Sequence, residues 1–191
     1  MKWRSFHERS AVIRSLFSLP TGSSAGTLTF GNTTTPVHGD SWFDHEWSTT
    51  ALGAQNTGWD WFSVQLSDGC ELMLGHLRRK DGRFDNVFGG TLIEPDGRTR
   101  QLSTAEIRTT VEGRWHSAPT NADYPVRWRI EIPAEQIDLH ATPWVADQEM
   151  RVHPPYWEGA VDYSGTSRGE RVTGHGYIEM TGYAESLQGK L

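Results

Sequence analysis

The chain has little of what staples, anchors or charges a fold. It carries one cysteine, Cys70, in 191 residues. That excludes an intrachain disulfide and a thiolate-rich zinc site. Cys70 follows Asp68-Gly69 at an expected turn with no base beside it, so it reads as a bystander thiol. No apolar run approaches the length of a membrane span. No basic block is present: 18 basic residues stand against 24 acidic ones, for a formal net charge of −6. Nucleic acid is therefore not an expected partner. The eight histidines contain no His-x-His or His-x-x-x-His pair, so neither a metal nor another cofactor is expected. Sustained helical periodicity is also missing, and only Thr104 to Arg108 suggests a short turn.

Aromatic residues are plentiful, with 9 Trp, and only 22% of the chain is charged, which argues against disorder. The length fits one domain with extra pieces and is enough to bury a core without staples. The first 25 residues differ from the rest. Lys2, Arg4, Arg9 and Arg14 face a single acid, Glu8. The apolar stretch around Leu16, Phe17 and Leu19 is short and closely preceded by Arg14, which makes a poor secretory signal and leaves the cytoplasm as the default compartment. Pro20 to Gly26 reads as a linker. The expected organisation is a lead-in segment and linker over 1–25, as the remnant of an upstream domain, followed by one β domain over 26–191.

From Gly26 onward the chain reads as strands and turns. Asp-Gly recurs at 68–69, 81–82 and 96–97, the strongest short hairpin signal. Strands are expected over Thr27–Phe30, Trp59–Leu66, Glu71–Arg78, Phe88–Glu94, Tyr124–Ile132, Ile137–Thr142, Trp157–Tyr163 and Val172–Tyr183, the last bent at its glycines. The fold class is all-β, an antiparallel meander of about ten strands. Closing it into a barrel removes its edges and leaves room for one small ligand. A flat two-sheet sandwich is the alternative.

The densest chemistry lies in Gly39-Asp40-Ser41-Trp42-Phe43-Asp44-His45-Glu46-Trp47, followed by Gly58-Trp59-Asp60-Trp61-Phe62. At strand spacing, Phe43, His45 and Trp47 point one way and Trp42, Asp44 and Glu46 the other. An imidazole between two large rings suits proton chemistry on an apolar ligand; it equally suits a wall of packed aromatics. Late in the chain, Glu158 is enclosed by Tyr156 and Trp157. His175, Tyr177, Glu179 and Tyr183 share a face opposite Ile178 and Met180, and that polar-aromatic face is the expected lumen lining. A carboxylate among rings has its pKa raised by desolvation, which suits a general acid. His76 shares a face with Leu72 and Leu74 and is a further candidate. Each of these residues, taken singly, also fits a structural role.

Those two motifs, with Tyr124-Pro125-Val126-Arg127-Trp128, Asp147-Gln148-Glu149, Tyr156-Trp157-Glu158-Gly159 and Gly176-Tyr177-Ile178-Glu179-Met180-Thr181-Gly182-Tyr183, resemble in order and spacing the motif series of one family. It is the hydroxyneurosporene synthase (carotenoid 1,2-hydratase) and AttH-like family, and the chain resembles its second, C-terminal barrel domain. The resemblance implies a lipocalin-like β-barrel. It also implies a cofactor-independent enzyme of lyase or isomerase type, a hydratase or cyclase that moves protons on an apolar isoprenoid- or polyene-like substrate. It places His45 and Trp47 in the active site. The catalytic candidates are then His45, Glu158 and Glu179. The substrate-binding candidates are Phe43, Trp47, Trp59, Trp61, His76, Trp157, His175, Tyr177 and Tyr183. A second lipocalin-like domain or a homo-oligomer is the expected protein partner. A non-catalytic binding barrel for apolar ligands is one alternative. The family's hydrolase label is another, with Gly22-Ser23-Ser24-Ala25-Gly26 as a formal Gly-x-Ser-x-Gly match that lacks a following helix.

Overall fold

The aromatic stretch from Gly39 to Trp47 is a strand, as its alternation predicts. The computed structural model describes residues 2–4, 14–48, 52–85 and 88–187, with side chains described over 22–45, 52–85 and 88–187. Residues Met1–Thr49 form one unit and Thr50–Leu191 a second. The first holds β1 (Lys2–Arg4), β2 (Arg14–Phe30) and β3 (Thr33–Ser48), in the order β1-β2-β3. Gly31, with φ 59°, turns β2 into β3. The expected linker Pro20–Gly26 is a correction: it lies inside β2 and pairs with β3, Gly22 opposite Ser41 and Gly26 opposite Val37. The register shifts between Leu19 and Gly22. This irregularity accommodates Pro20, which has no N–H to give to a ladder. A partner strand here overrides the weak β-propensity of Gly, Ser and Ala. The alternation in β3 holds: the Phe43 and His45 rings lie 6.4 Å apart, and Trp42 Nε1 donates to Asp44 Oδ2 at 2.9 Å.

The second unit is one antiparallel sheet. Its strands are β4 (Asn56–Leu66), β5 (Glu71–Arg79), β6 (Phe84–Asp85), β7 (Gly89–Ile93), β8 (Thr99–Ser103), β9 (Arg108–Ser117), β10 (Ala122–Ile132), β11 (Ile137–Pro143), β12 (Glu149–Met150), β13 (Tyr156–Ser167) and β14 (Glu170–Met180). Gly69, Gly82 and Gly97 follow the three aspartates with φ near 80°, the left-handed conformation that glycine adopts freely. The order is β8-β7-β5-β4-β14-β13-β11-β10-β9, with β12 on β13 and β6 on β5. The first and last strands of the unit pair with each other, β4 with β14. Among the described residues the ladder is open only between β8 and β9, which follow one another in sequence through a short 3₁₀ turn at Thr104–Glu106.

Side chains carry the curl where the ladder stops. Phe62 of β4 meets Trp128 of β10 edge-on, 5.3 Å between centroids. His76 Nε2 of β5 lies 3.1 Å from Thr109 Oγ1 of β9. The concave face is the core: Phe62, Val64, Leu72, Leu74, Ile130, Leu139, Val161, Ile178 and Met180 are wholly buried. This is the lipocalin-like curled sheet that the sequence predicts. One expectation is reversed. Ile178 and Met180 face inward, whereas His175, Tyr177 and Glu179 occupy the other face of β14. Alternation identifies two faces but not which is concave. Here the glycines at 174 and 176 fall on the inner face and let β14 bend around larger neighbours.

Candidate functional site

A single carboxylate interrupts the apolar parity of β4. Asp60 occupies the same face as Phe62, Val64 and Leu66, and it is wholly buried. Its oxygens are treated differently. Oδ1 is held by the Arg78 guanidinium and accepts from Tyr183 Oη at 3.0 Å, while Oδ2 has no hydrogen-bond partner. Arg78 also donates to the carbonyl of Thr181, and its guanidinium lies 3.9 Å from the centroid of the Tyr183 ring. Burial raises the Asp60 pKa despite the opposing pull of Arg78 and Tyr183. The cation at Oδ1 and the burial opposing it do not cancel: desolvation is the largest influence on this fully enclosed carboxyl, and the net shift is upward.

His76 is the direct cross-strand partner of Asp60. Such partners have Cβ atoms roughly 5 Å apart on the same face. The imidazole stacks on Phe84 at 4.3 Å and meets Phe62 edge-on at 6.0 Å. Its Nδ1 has no hydrogen-bond partner, and burial with the nearby Arg78 lowers its pKa to about 4. At neutral pH it is an uncharged ring. Trp128 adds a third buried polar atom without a partner, its Nε1. A buried carboxyl with one unpartnered oxygen, a neutral imidazole and an indole N–H thus line one aromatic-walled face. None of the described residues forms a cluster of three or more His, Cys, Asp or Glu able to hold a metal ion.

Next to this set is a carboxylate with all its partners satisfied. Glu149 accepts from Ser117 Oγ at 2.6 Å, Tyr124 Oη at 3.1 Å and Arg151 Nε at 3.3 Å, and also from Thr120. These donors outweigh its burial and lower its pKa. Tyr124 stacks on Trp115 and lies 5.5 Å from Tyr183, so the Glu149 network braces the ring wall behind Tyr183.

The residues singled out in the sequence fall in three places. His76, Trp157 and Tyr183 are on the concave side, where Trp157 is fully buried with Nε1 donating to Ala146 O at 2.8 Å. Trp59, Trp61, Glu158, His175, Tyr177 and Glu179 are on the opposite face. There Glu158 pairs directly with Glu179, and Glu179 with Trp61. Trp61 meets Phe88 edge-on at 6.3 Å. Phe43 and His45 are exposed on the β2–β3 hairpin, and the side chain of Trp47 lies outside the described residues. Ser24 of the Gly-x-Ser-x-Gly match donates to Ser41 Oγ in mid-strand, without the strand-to-helix turn that a nucleophile elbow needs. Cys70 is buried, and desolvation with Asp68 pushes its thiol up to about 11, away from reactivity. Sequence reasoning missed Asp60, Arg78 and Trp128 as a group. The available signal was a charged residue at the parity of Phe62 and Val64.

The sequence pattern of the AttH-like family matches residues 5–183, so the chain belongs to that family. Among curated relatives, kievitone hydratase of Fusarium solani subsp. phaseoli is 22% identical over 157 residues, covering 78% of this chain and 42% of the relative. Dehydratase asqC of Emericella nidulans is 22% identical over 179 residues, covering 86% and 49%. The chain therefore spans about half the length of these relatives. A crystal structure of a Nitrosomonas europaea protein described as AttH superposes with a TM-score of 0.77 at 33% identity, covering 90% of this chain and 52% of that one. Kievitone hydratase from Nectria haematococca superposes with a TM-score of 0.72 at 19% identity, covering 96% and 65%, and shares the fold.

Proposed function

We propose that this AttH-like chain takes part in a lyase-type reaction, adding water to or removing it from a small molecule, with Asp60 as the group that moves the proton. The observation that carries the reading is the asymmetry of the Asp60 carboxyl: Oδ1 is clamped by Arg78 and Tyr183, and Oδ2 is buried on the concave face without a partner. The names hydratase and dehydratase among relatives support the reaction class.

In the hydration direction, neutral Asp60 gives its proton from Oδ2 to an alkene carbon. The resulting cation is held against the faces of Phe62, Trp128 and Tyr183 by cation–π attraction. Water adds its oxygen to the cation and returns one proton to the Asp60 carboxylate, so the acid is regenerated. Dehydration is the same sequence reversed, with the acid protonating the departing hydroxyl. Neutral His76 and the Trp128 N–H orient the oxygen-bearing end of the substrate. The aromatic walls suit an isoprenoid, polyene or aromatic skeleton.

A second constellation keeps one supporting observation. Glu158 and Glu179 face each other across β13 and β14, and burial, with the charge of Glu158 second, pushes Tyr156 up to about 12. Proton transfer by these two carboxyls is the competing assignment.

The test is deuterium incorporation from D₂O into candidate polyene and prenylated aromatic substrates, read by mass spectrometry. Asp60→Asn should abolish incorporation, and Glu158→Gln, Glu179→Gln and His45→Gln should retain it. The opposite pattern transfers the chemistry to the second constellation. Saturable quenching of tryptophan fluorescence with no incorporation in the wild type would make the barrel a carrier and end the enzyme reading.

A further inference from the structure

Apart from the Asp60 clamp, two buried donors on the concave face have no hydrogen-bond partner: Trp128 Nε1 and Tyr163 Oη. An indole N–H can only donate, and a phenol O–H donates readily. Burial holds the Tyr163 phenol well above its usual range, so it keeps its proton at neutral pH. Native proteins leave few such groups unpaired, because each forfeits its hydration.

Register places the two together. Trp128 on β10 and Tyr163 on β13 are both cross-strand partners of Ala141 on β11. Cross-strand partners project to the same side, so two long side chains flank one methyl group on a single row, all three turned inward and buried. The outer members of such a row stand about 10 Å apart at the backbone. Gly174, the partner of Tyr163 on β14, adds no side chain to the row. Both rings lean toward one stretch of β4. The Trp128 ring meets Phe62 edge-on at 5.3 Å. The edge of the Tyr163 ring lies 3.3 Å from the point that a Cβ on Gly176 would occupy, and Gly176 pairs with Val64, the next inward residue after Phe62.

We infer that Trp128 Nε1 and Tyr163 Oη form a two-donor site over Ala141 for a neutral carbonyl oxygen of the ligand. The inference rests on the concave face as the ligand site, as in the function proposed above, but not on the chemistry of Asp60. Two donors without an acceptor suit a carbonyl oxygen, which has two lone pairs and no proton of its own. They do not suit a carboxylate. The neighbouring inward side chains Ile130, Leu139 and Val161 are apolar and wholly buried, so an anion here would be buried without a cation. Spacing adds a second restriction. Phe62 and Val64 stand about 7 and 13 Å along β4 from Asp60. The ligand is therefore an elongated ketone or aldehyde whose double bond at Asp60 lies several bonds from its carbonyl, rather than a pure hydrocarbon polyene.

The probe is geranylacetone, a chain ketone with its terminal double bond at the far end from the carbonyl. It is compared with the hydrocarbon that has CH₂ in place of the carbonyl oxygen and with the carboxylate of the same length. Dissociation constants are read on the full chain by quenching of tryptophan fluorescence. The wild type should bind the ketone more tightly than either analogue. Tyr163→Phe should reduce the preference for ketone over hydrocarbon by about three- to tenfold, the worth of one hydrogen bond, with hydrocarbon affinity unchanged. The carbonyl stretch of the bound ketone, read by infrared difference spectroscopy with an isotope label, should lie below its value in hexane and move up in Tyr163→Phe. Thermal denaturation separates a ligand-binding hydroxyl from a structural one. Tyr163→Phe should melt at or above the wild-type temperature, whereas Tyr124→Phe, which takes a donor from Glu149, should melt lower. Equal affinity for ketone and hydrocarbon in the wild type overturns the inference, as does binding of neither. An unchanged preference in Tyr163→Phe overturns it too, and a lowered melting temperature beside it would make the hydroxyl structural. Asp60→Asn should keep the ketone preference. A protein that shows the preference but incorporates no deuterium keeps this site and loses only the lyase reading.

Discussion

Asp60 and His76 are neighbours whose pKa values move in opposite directions for one reason: burial disfavours both charged forms. The consequences for stability differ in sign. The folded pKa of Asp60 lies above its unfolded value, so its contribution is present below the ordinary carboxylate range and is lost as pH rises through the folded value. The folded pKa of His76 is about 4 against an ordinary value of 6.5. Its contribution is present above 6.5 and is lost as pH falls toward 4. Urea denaturation should therefore show the stability difference between the wild type and His76→Gln changing between those two values, against the wild type as pH falls, over a range where Asp60 contributes with the opposite sign. A constant difference would mean that the ring titrates freely and is not enclosed as described. For activity, Asp60→Asn keeps the shape of the side chain but removes the proton. Turnover should fall by about 10²–10⁴-fold, the usual share of a general acid, with ligand affinity nearly intact. Tyr183→Phe removes the hydrogen bond at Oδ1 but keeps the ring under Arg78. It should move the alkaline limb of the pH–rate profile, where the proton of neutral Asp60 is lost, to higher pH, because one donor to the carboxylate form is gone.

Among the elements, the most legible were those with turn chemistry or clean alternation at their ends. The Asp-Gly steps marked the ends of β4, β5 and β7, and the alternation from Tyr124 to Ile132 marked β10. β9 was missed because its inner face, Thr109, Val111, Gly113, Trp115 and Ser117, carries only two large apolar residues, too few to announce a period against Arg108, Glu112 and Arg114. β2 was only partly legible: its end, Thr27–Phe30, was expected, but Pro20 to Gly26 has Thr21 as its one β-former and is strand because β3 lies beside it. The bend of β14 at its glycines was foreseen, and the structure shows its physical demand. A Cβ added at Gly176 would run into the carbonyl oxygen of Ser63 on β4, and one at Gly174 into that of Gln65. Backbone cannot swing aside as a side chain can. Gly176→Ala should therefore destabilise the second unit by about 1–3 kcal/mol or more, through forced separation of β4 and β14. A parallel Gly97→Ala, at a turn where a Cβ meets nothing and only the left-handed φ is strained, should cost less. Equal losses in thermal denaturation would show that the two strands do not approach as closely as described.

At the scale of the molecule, the family and the curled sheet were readable because both are carried by order: motifs in sequence, strands between turns. The candidate site was not, because it is made by closure. Asp60, Arg78, Trp128 and Tyr183 come from four separate segments, and nothing in their sequence neighbourhoods distinguishes concave from convex. Closure itself rests on side chains where the backbone ladder is missing between β8 and β9. Phe62 is central to it, since it touches Trp128 of β10 and His76 of β5 and is wholly buried. Removing its ring leaves a cavity between strands that no hydrogen bonds hold together. Phe62→Ala should thus cost about 3–5 kcal/mol, at the upper end of large-to-small substitutions. The loss should be uneven. Hydrogen exchange should accelerate most along β9 and β10, whose hold on β4 and β5 is made by Phe62, Trp128, His76 and Thr109. The β4–β14 ladder, closed by backbone bonds, should keep most of its protection. If instead exchange rises uniformly over all strands, the sheet opens only as a whole, and the side-chain seam proposed between β8 and β9 is not its weak point.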